Sequence, residues 1–590
     1  MRLLLYLVLF GVFTFSYSQE ELANDYFSKG EFEKALSLFQ KLEKDNKRNI
    51  NYKLKIIEIY RQLEELDKAE SYLANLVNYS NNPVFSIELG YNYALKNDLP
   101  KAEENYNLAD QKIIENPSYA YNIAKAYEKH SLLEKAIFIY NKAMEINPDL
   151  NFNIQLARIY GEQGDIAKMF NSYLNFIQEN NSYLEHTKRS ISGFISEDDQ
   201  NENNIALKRI LLKKIQKEPN LLWNEILSWL FIQQKDYKKS FVQEKAIFNR
   251  KPESLQRIVD LALISMDQNT DVAKEILEYI ILKSQVRETE ITAHNYLLKL
   301  EIQEVTDNRY AKIQSKFSRL FEVYGLNQQT IELQLSYAQF LAFILDQPEA
   351  AITFLKESLE QPLSDFQVAA IKLKLGDILV FQEKFNEALI YFTQIQRSLK
   401  NSTISQEARL KVAKTSYYKG DFDWAETQLK ILKSSTSQLI ANDALDLKLL
   451  ISDNKFEDST QTALKLYSRA DLLAFQNKTN DAIEILDVLL NNHKGETIED
   501  QALFFQAELF LKNKQYINAE SNYKYIMANW REDILIDDAI YMLAELYRNH
   551  LDQEEKAKEL YEQIVFNHAD SIYFIEARKK FRALRGDVLN

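Results

Sequence analysis

Side chains able to do chemistry are few in this chain and far apart. The histidines are His130, His186, His294, His493, His550 and His568, and no two stand at a spacing that would grip one metal ion. Cysteine is absent, and so is the HExxH pattern that puts two imidazoles on one helix face. Neither GxGxxG nor GxxxxGK[ST] occurs to cradle a phosphate, and no GxSxG presents a nucleophile. The acidic pairs Glu103-Glu104 and Asp537-Asp538 are adjacent, so on a helix the two carboxylates diverge. A solvated face suits them better than a paired acid and base. The residues therefore predict no catalytic centre, no metal site and no cofactor.

Composition narrows the classes further. Apolar residues make up 46% and aromatic ones 12%, enough to build packed cores rather than a disordered chain. Gly (11) and Pro (8) are scarce, and long Glu/Lys/Leu/Ala/Tyr/Phe stretches favour helix. A net charge of −14 with intermixed signs argues against nucleic acid and against an anionic membrane surface as partner. At the N-terminus Arg2 precedes an apolar run from Leu3 to Phe15, then Ser16 and Ser18 ahead of Gln19. This spells a signal peptide over 1–18. The alternative, an uncleaved anchor, would need about 20 spanning residues and basic residues behind the run. After cleavage no integral span is expected. Without cysteine there is no disulfide, and no anchoring through a lipidated N-terminal cysteine.

The elements that must position any functional residue are read from a repeat. YFSKGEFEKALSLF (26–39) returns as YRQLEELDKAESYL (60–73), YALKNDLPKAEENY (93–106) and YEKHSLLEKAIFIY (127–140). Phe32, Ala35 and Phe39 share one helix face, and Gly30 breaks the helix before them. Each unit is thus helix, tight turn, helix. Ala35, Ala69, Ala102 and Ala136 mark where two helices cross closely, and Tyr26, Tyr60, Tyr93 and Tyr127 fill the space between units. Leu89-Gly90, Tyr93, Leu99, Ala102, Tyr106 and Ala109 complete the fullest copy. A fifth unit keeps phase through Tyr160, Gly164 and Ile166 but places Met169 where alanine is expected.

This spelling resembles the tetratricopeptide repeat family, whose unit has 34 residues. The resemblance implies an all-α fold, an α-α superhelix (solenoid) of tandem helix pairs in which each pair leans on the next. Four segments are expected. They are the signal peptide (1–18), an N-terminal array (19–180), degenerate helical repeats (181–330) with a flexible polar connection near 196–204, and a C-terminal array (331–590). In the degenerate part Phe231, Tyr237, Ser240 and Pro252 hold the spacing, and Ala273 sits at a close-contact position. Between 284 and 330 helix is legible and register is not. In the last array Ala351, Leu375-Gly376, Ala388, Phe392, Gly420, Ala425, Ala482, Ala507, Ala519, Tyr523, Ala544 and Ala557 restore the phase. Tyr573, Ala577, Phe581 and Leu584 form a stripe that would cover the end of the stack. Arg578, Lys579, Lys580, Arg582 and Arg585 would face outward. Such an ending is similar to those of envelope tetratricopeptide proteins in Gram-negative bacteria.

The family pattern implies function as well. A non-enzymatic protein–protein interaction scaffold of the bacterial cell envelope is expected, in the periplasm of a Gram-negative cell. Its partner would be a protein or an extended peptide of unknown identity. Residues that the pattern places on the inner side of first helices are Asn24, Arg61, Tyr91, Tyr121, Lys125, Lys129 and Arg158. Aromatic surface combined with cations suits an extended acidic peptide. The Lys/Asn set with which the co-chaperone subgroup grips a C-terminal carboxylate is not reproduced. An alternative role, binding envelope glycan or peptidoglycan, rests on Tyr91 and Tyr121.

Overall fold

The computed structural model describes residues 19–304, 309–432, 437–455 and 460–587. The signal peptide expected over 1–18 lies outside them. Two compact units divide between Ile226 and Leu227, inside the stretch whose repeats are degenerate. The first holds α1 (19–28), α2 (Phe32–Asp45), α3 (Ile50–Gln62), α4 (Leu66–Tyr79), α5 (Pro83–Leu95) and α6 (Leu99–Glu115). It continues through α7 (Ala120–Lys129), α8 (Leu133–Ile146), α9 (Asn153–Glu162), α10 (Ile166–Glu179), α11 (Leu184–Ser192) and α12 (Glu202–Lys217). The division falls within α13 (Leu221–Gln233). Among the described residues there is no strand, and no helix is long and apolar enough to cross a membrane. The fold is the expected all-α array of tandem helix pairs.

What turns one helix into the next is a backbone device. Gly30, Glu64, Asn97, Ser131 and Gly164 recur one repeat apart, each left-handed with φ of 77°, 59°, 61°, 57° and 76°. The left-handed residue lets the N–H that follows it reach back to the carbonyl of Tyr26, Tyr60, Tyr93, Tyr127 or Tyr160, at 2.8–2.9 Å. A carbonyl otherwise left open at the helix end is thereby satisfied. Only two of the five turns carry glycine. Glu64, Asn97 and Ser131 adopt the same geometry against the steric cost of a Cβ.

The crossing of each pair depends on small residues. Ala35, Ala69, Ala102 and Ala136 are all buried. Gly90 completes the fit in the third unit, because a Cβ there would stand 2.6 Å from Tyr106 Cε1. The fifth unit reverses the assignment. Met169 is buried at the alanine position, and Gly161 on α9 makes room for it, a Cβ there falling 3.1 Å from Met169 Sδ. Between α11 and α12 the polar stretch forms a turn around Asn204. This side chain is fully buried and donates to the carbonyls of Ser196 (2.7 Å) and Asp198 (2.6 Å).

The second unit opens with α14 (Tyr237–Arg250), α15 (Gln256–Met266), α16 (Thr270–Lys283), α17 (Arg287–Glu304) and α18 (Tyr310–Tyr324). Next are α19 (Ile331–Phe343), α20 (Pro348–Ser358), α21 (Asp365–Phe381), α22 (Phe385–Ser398), α23 (Thr403–Tyr418) and α24 (Phe422–Leu432). Then come α25 (Gln438–Asn454), α26 (Thr462–Phe475), α27 (Thr479–Asn492), α28 (Glu499–Lys512) and α29 (Tyr516–Asn529). The last are α30 (Ile536–His550), α31 (Glu554–Asn567) and α32 (Phe574–Arg585). Ala351, Ala388, Ala425, Ala482, Ala519 and Ala557 are fully buried within one core reaching from Ile331 to Phe581. α17 and α18, whose register the sequence leaves open, pack through Ile291, Leu298, Ile313 and Phe317 against Leu333 and Phe340.

One contact in this unit skips whole repeats. Phe343 packs on Phe381 (4.8 Å between ring centroids) and on Phe475 (5.9 Å), and Phe475 stacks on Tyr418 (6.3 Å). Gln476 Nε2 donates to the Phe381 carbonyl (2.8 Å), and Arg469 pairs with Glu383 (2.8 Å). The C-terminal ends of α19, α21, α23 and α26 are clasped together. At the end of the chain Ala577 and Phe581 are buried and Leu584 packs beside them, while Tyr573 stacks on Tyr541 at 4.2 Å. Of the basic residues expected to face outward, Lys580 instead turns in to Glu545 (2.6 Å) and Tyr541 (2.9 Å). A carboxylate on α30 makes that inward position favourable for an ammonium.

Two substitutions with opposite signs test this account. Gly90→Ala removes a helix-interior glycine, which alone would stabilise, yet it drives a methyl into Tyr106; unfolding free energy should fall by about 1–3 kcal/mol. Ser131→Gly relieves a strained turn and should raise it by about 0.5–1 kcal/mol. Urea unfolding of both variants measures the signs, and equal signs would contradict the geometry.

Candidate partner-binding site

The residues proposed for partner binding sit on α1, α3, α5, α7 and α9, the first helices of successive repeats. Most of them gather around two carboxylates that the sequence did not single out. Glu88, on α5, is almost completely buried. Arg61 reaches it from α3, with Nη1 2.5 Å from Oε2 and Nη2 donating to the Glu88 carbonyl at 2.6 Å. From the end of α7, Lys129 Nζ lies 3.5 Å from Oε1, and His130 Nε2 lies 3.1 Å from it, off the angle of a hydrogen bond. Burial alone would push the Glu88 carboxyl up. The His130 imidazole and the charges of Arg61 and Lys129 outweigh burial and hold the carboxyl at about 2.

Tyr91 is part of the same cluster. Its ring stacks on His130 with centroids 3.7 Å apart and planes 16° from parallel, and the Arg61 guanidinium stands 5.0 Å from its centre. That ring, one of the two aromatics behind the glycan alternative, makes these protein contacts and stays half-buried. Tyr121 is the other, and it is 47% exposed.

The second carboxylate is Glu128 on α7. Lys125 pairs with it at 2.8 Å, Arg158 from α9 pairs with it closely, and the Tyr140 hydroxyl donates to it at 3.1 Å. Burial pushes this carboxyl up, and Lys125 and Arg158 more than reverse that. Lys125 Nζ also stands 6.0 Å from the centre of the Tyr121 ring. The structure thus brings Arg61, Tyr91 and Lys129 together around Glu88, and Tyr121, Lys125 and Arg158 around Glu128. Asn24 is exposed on α1 and belongs to neither set.

Lys129 and Arg158 keep 43% and 45% of their side chains exposed, whereas Arg61 keeps 10%. Four cations hold two carboxylates, with Glu162 acting on Arg158 as well, so the balance of the strip is positive. Glu88, Glu128 and His130 were missed because the partners supplied by other repeats (Arg61 and Lys129 for Glu88, Arg158 for Glu128, Glu88 for His130) lie 27–42 residues away. The available signal was an acid on a first helix with a base on the next. Among the described residues no group of His, Cys, Asp and Glu could hold a metal ion. The site is suited to recognition by charge and stacking.

Comparison with known proteins agrees with the helix pairs. Residues 117–150 (α7 and α8) and 538–571 (α30 and α31) match tetratricopeptide repeat families. Each matched stretch reads as one tetratricopeptide repeat. No curated protein matches the sequence. Among solved structures, the repeat chain is similar to one from the structure of Naa15/Naa10 bound to HypK-THB. Identity is 11%, coverage is 97% of this chain and 94% of that one, and the TM-score is 0.27. It is also similar to a chain of the APC/C hetero-tetramer Cut9-Hcn1, with 12% identity, 96% coverage of both chains and a TM-score of 0.25. Scores this low establish no shared arrangement and carry no argument about partners.

The buried pair makes a prediction about acid. Glu88 titrates near 2 when folded against an ordinary value of 4.5, so its stabilising contribution is complete above 4.5 and vanishes as pH falls through 2. The difference amounts to about 3 kcal/mol. Glu88→Gln should cost about 3–5 kcal/mol at neutral pH, since Arg61 is left without its counter-charge. It should also flatten the loss of stability of the first unit between pH 4.5 and 2. Hydrogen exchange across 83–130 measures both effects, and an unchanged acid slope would show that Glu88 is not the group responsible.

Proposed function

We propose that this chain is a non-enzymatic scaffold that binds partner proteins along the first helices of its repeats. The positive strip from Arg61 to Arg158 takes an extended acidic segment. The observation that carries this reading is the paired clusters around Glu88 and Glu128. They hold Lys129, Lys125 and Arg158 in place beside the exposed Tyr121 while leaving cationic and aromatic surface open. Cations already positioned lose little side-chain entropy on binding, which favours affinity. Arg61 serves by fixing Glu88. A scaffold of this kind works by raising the effective concentration of what it holds.

Export to the periplasm of a Gram-negative cell is part of the same proposal, supported by the apolar run Leu3–Phe15 ahead of Ser16 and Ser18. Gentle crosslinking followed by affinity capture from the envelope fraction should enrich a reproducible protein, and Lys129→Glu combined with Arg158→Glu should reduce its recovery at least tenfold. Undiminished recovery by the double variant would move the interface elsewhere. No protein above background with either form would overturn the scaffold reading, and a full-length precursor confined to the cytoplasm would overturn export.

A further inference from the structure

The outer face of α12 carries cations that no acid matches. On other second helices of the first unit a lysine near the start pairs with an acid three residues before it, as Lys68 does with Glu65, Lys101 with Asp98 and Lys168 with Asp165. In α12 no Asp or Glu stands three or four residues from Lys208, Arg209, Lys213 or Lys217. Among the described residues none of these four side chains makes an ion pair. Arg209, Lys213 and Lys217 follow one another at four-residue steps, so like charges repel along one ridge of the helix. All three are exposed. Lys214 shows what an inward cation does here: its ammonium donates to Asn175 Oδ1 at 2.7 Å and stands 4.8 Å from the centre of the Trp223 ring.

The same face has an apolar seam. α12 turns Asn204, Leu207 and Leu211 into the core. Away from the core, Ile205 and Leu212 stand two turns apart, and Leu212 is 43% exposed. At about 3.6 residues per turn, Lys208 falls on one side of this seam, and Arg209, Lys213 and Lys217 fall on the other. Ile205, Lys208, Arg209, Leu212, Lys213 and Gln216 line a shallow hollow of about 420 Å³. Apolar residues seven apart between rows of charge are what one helix offers to another laid along it. We propose that this face of α12 docks an acidic amphipathic helix of a partner protein. Carboxylates of that helix meet the cations on both sides while its apolar residues cover Ile205 and Leu212, and the repulsion along the ridge is relieved. This goes beyond the strip on the first helices, because α12 is the second helix of its repeat and holds none of the strip's residues. A chain of net charge −14 is repelled by an anionic bilayer, so the patch matches a compact acidic segment rather than a charged sheet.

The test uses the full chain and a fluorescein-labelled synthetic helix of three heptads, with leucine at the seam positions, glutamate on both flanks and alanine elsewhere, read by anisotropy at low salt. Lys208→Glu with Lys213→Glu, one from each side of the seam, should weaken binding at least tenfold and reduce its salt dependence. Leu212→Gln should weaken it at least threefold, a loss that charge attraction alone does not produce. The control, Lys312→Glu with Arg319→Glu, makes the same charge change at exposed positions of α18 and should alter affinity less than twofold. Lys213→Glu turns the repulsions with Arg209 and Lys217 into attractions, so thermal unfolding of the α12 variant should show no loss of stability. No binding by the parent, equal losses in variant and control, or unaltered affinity in Leu212→Gln would each overturn the proposal. A parent dimer, or co-sedimentation with phosphatidylglycerol vesicles, that the α12 variant abolishes would assign the face to a second copy or to a membrane and overturn it as well. A loss caused by Lys129→Glu with Arg158→Glu in place of the α12 variant would put the probe on the first-helix strip, overturning this proposal and leaving the scaffold reading intact.

Discussion

Everything in this molecule depends on how closely two helices of a repeat approach each other. Ala35, Ala69, Ala102 and Ala136 sit at those crossings with no exposed surface to speak of, and the left-handed turn before each of them sends the chain back at a constant angle. Once the crossing is set, the tyrosines at the ends of the first helices have a defined gap to fill, and Tyr127 is buried completely. The hydrogen bond to that tyrosine's carbonyl ties the turn to the packing residue itself. Bulk can move from one helix to the other, as Gly161 and Met169 do, provided the sum is kept. The stack tolerates sequence decay because the constraint is volume at a point.

Charge is handled in two ways. In the first unit Glu88 and Glu128 are matched by bases on first helices, so acid weakens it as they are forced to protonate. In the second, Asp471, Asp500, Glu508 and Asp538 are held above their ordinary values by burial, so each binds a proton more tightly folded than unfolded. Their contribution is fully present below the unfolded value and is lost as pH rises; for Asp500 that loss runs from 3.8 to about 6. The second unit also holds matched acids, since Glu426 and Glu545 are kept low by Lys455 and Lys580.

The repeat, the helix pairs and their crossing residues were legible in the sequence because they are local. Spacings of three, four and 34 residues report a helix face and a unit length directly. Candidate residues for the site could be placed on first helices for the same reason, yet their roles could not. Arg61 and Tyr91 looked like open groove, and packing across repeats turned them toward Glu88 and His130. An acid on one first helix and a base on the next are visible in the sequence, but which residues 27 or 42 apart meet is decided by the stacking angle. The clasp of Phe343, Phe381, Tyr418 and Phe475 is more remote still, joining α19 to α26 over more than a hundred residues. Lys580 turning inward has the same origin. Local periodicity determines what each helix buries, and only the accumulated rotation of one pair on the next decides which charges meet.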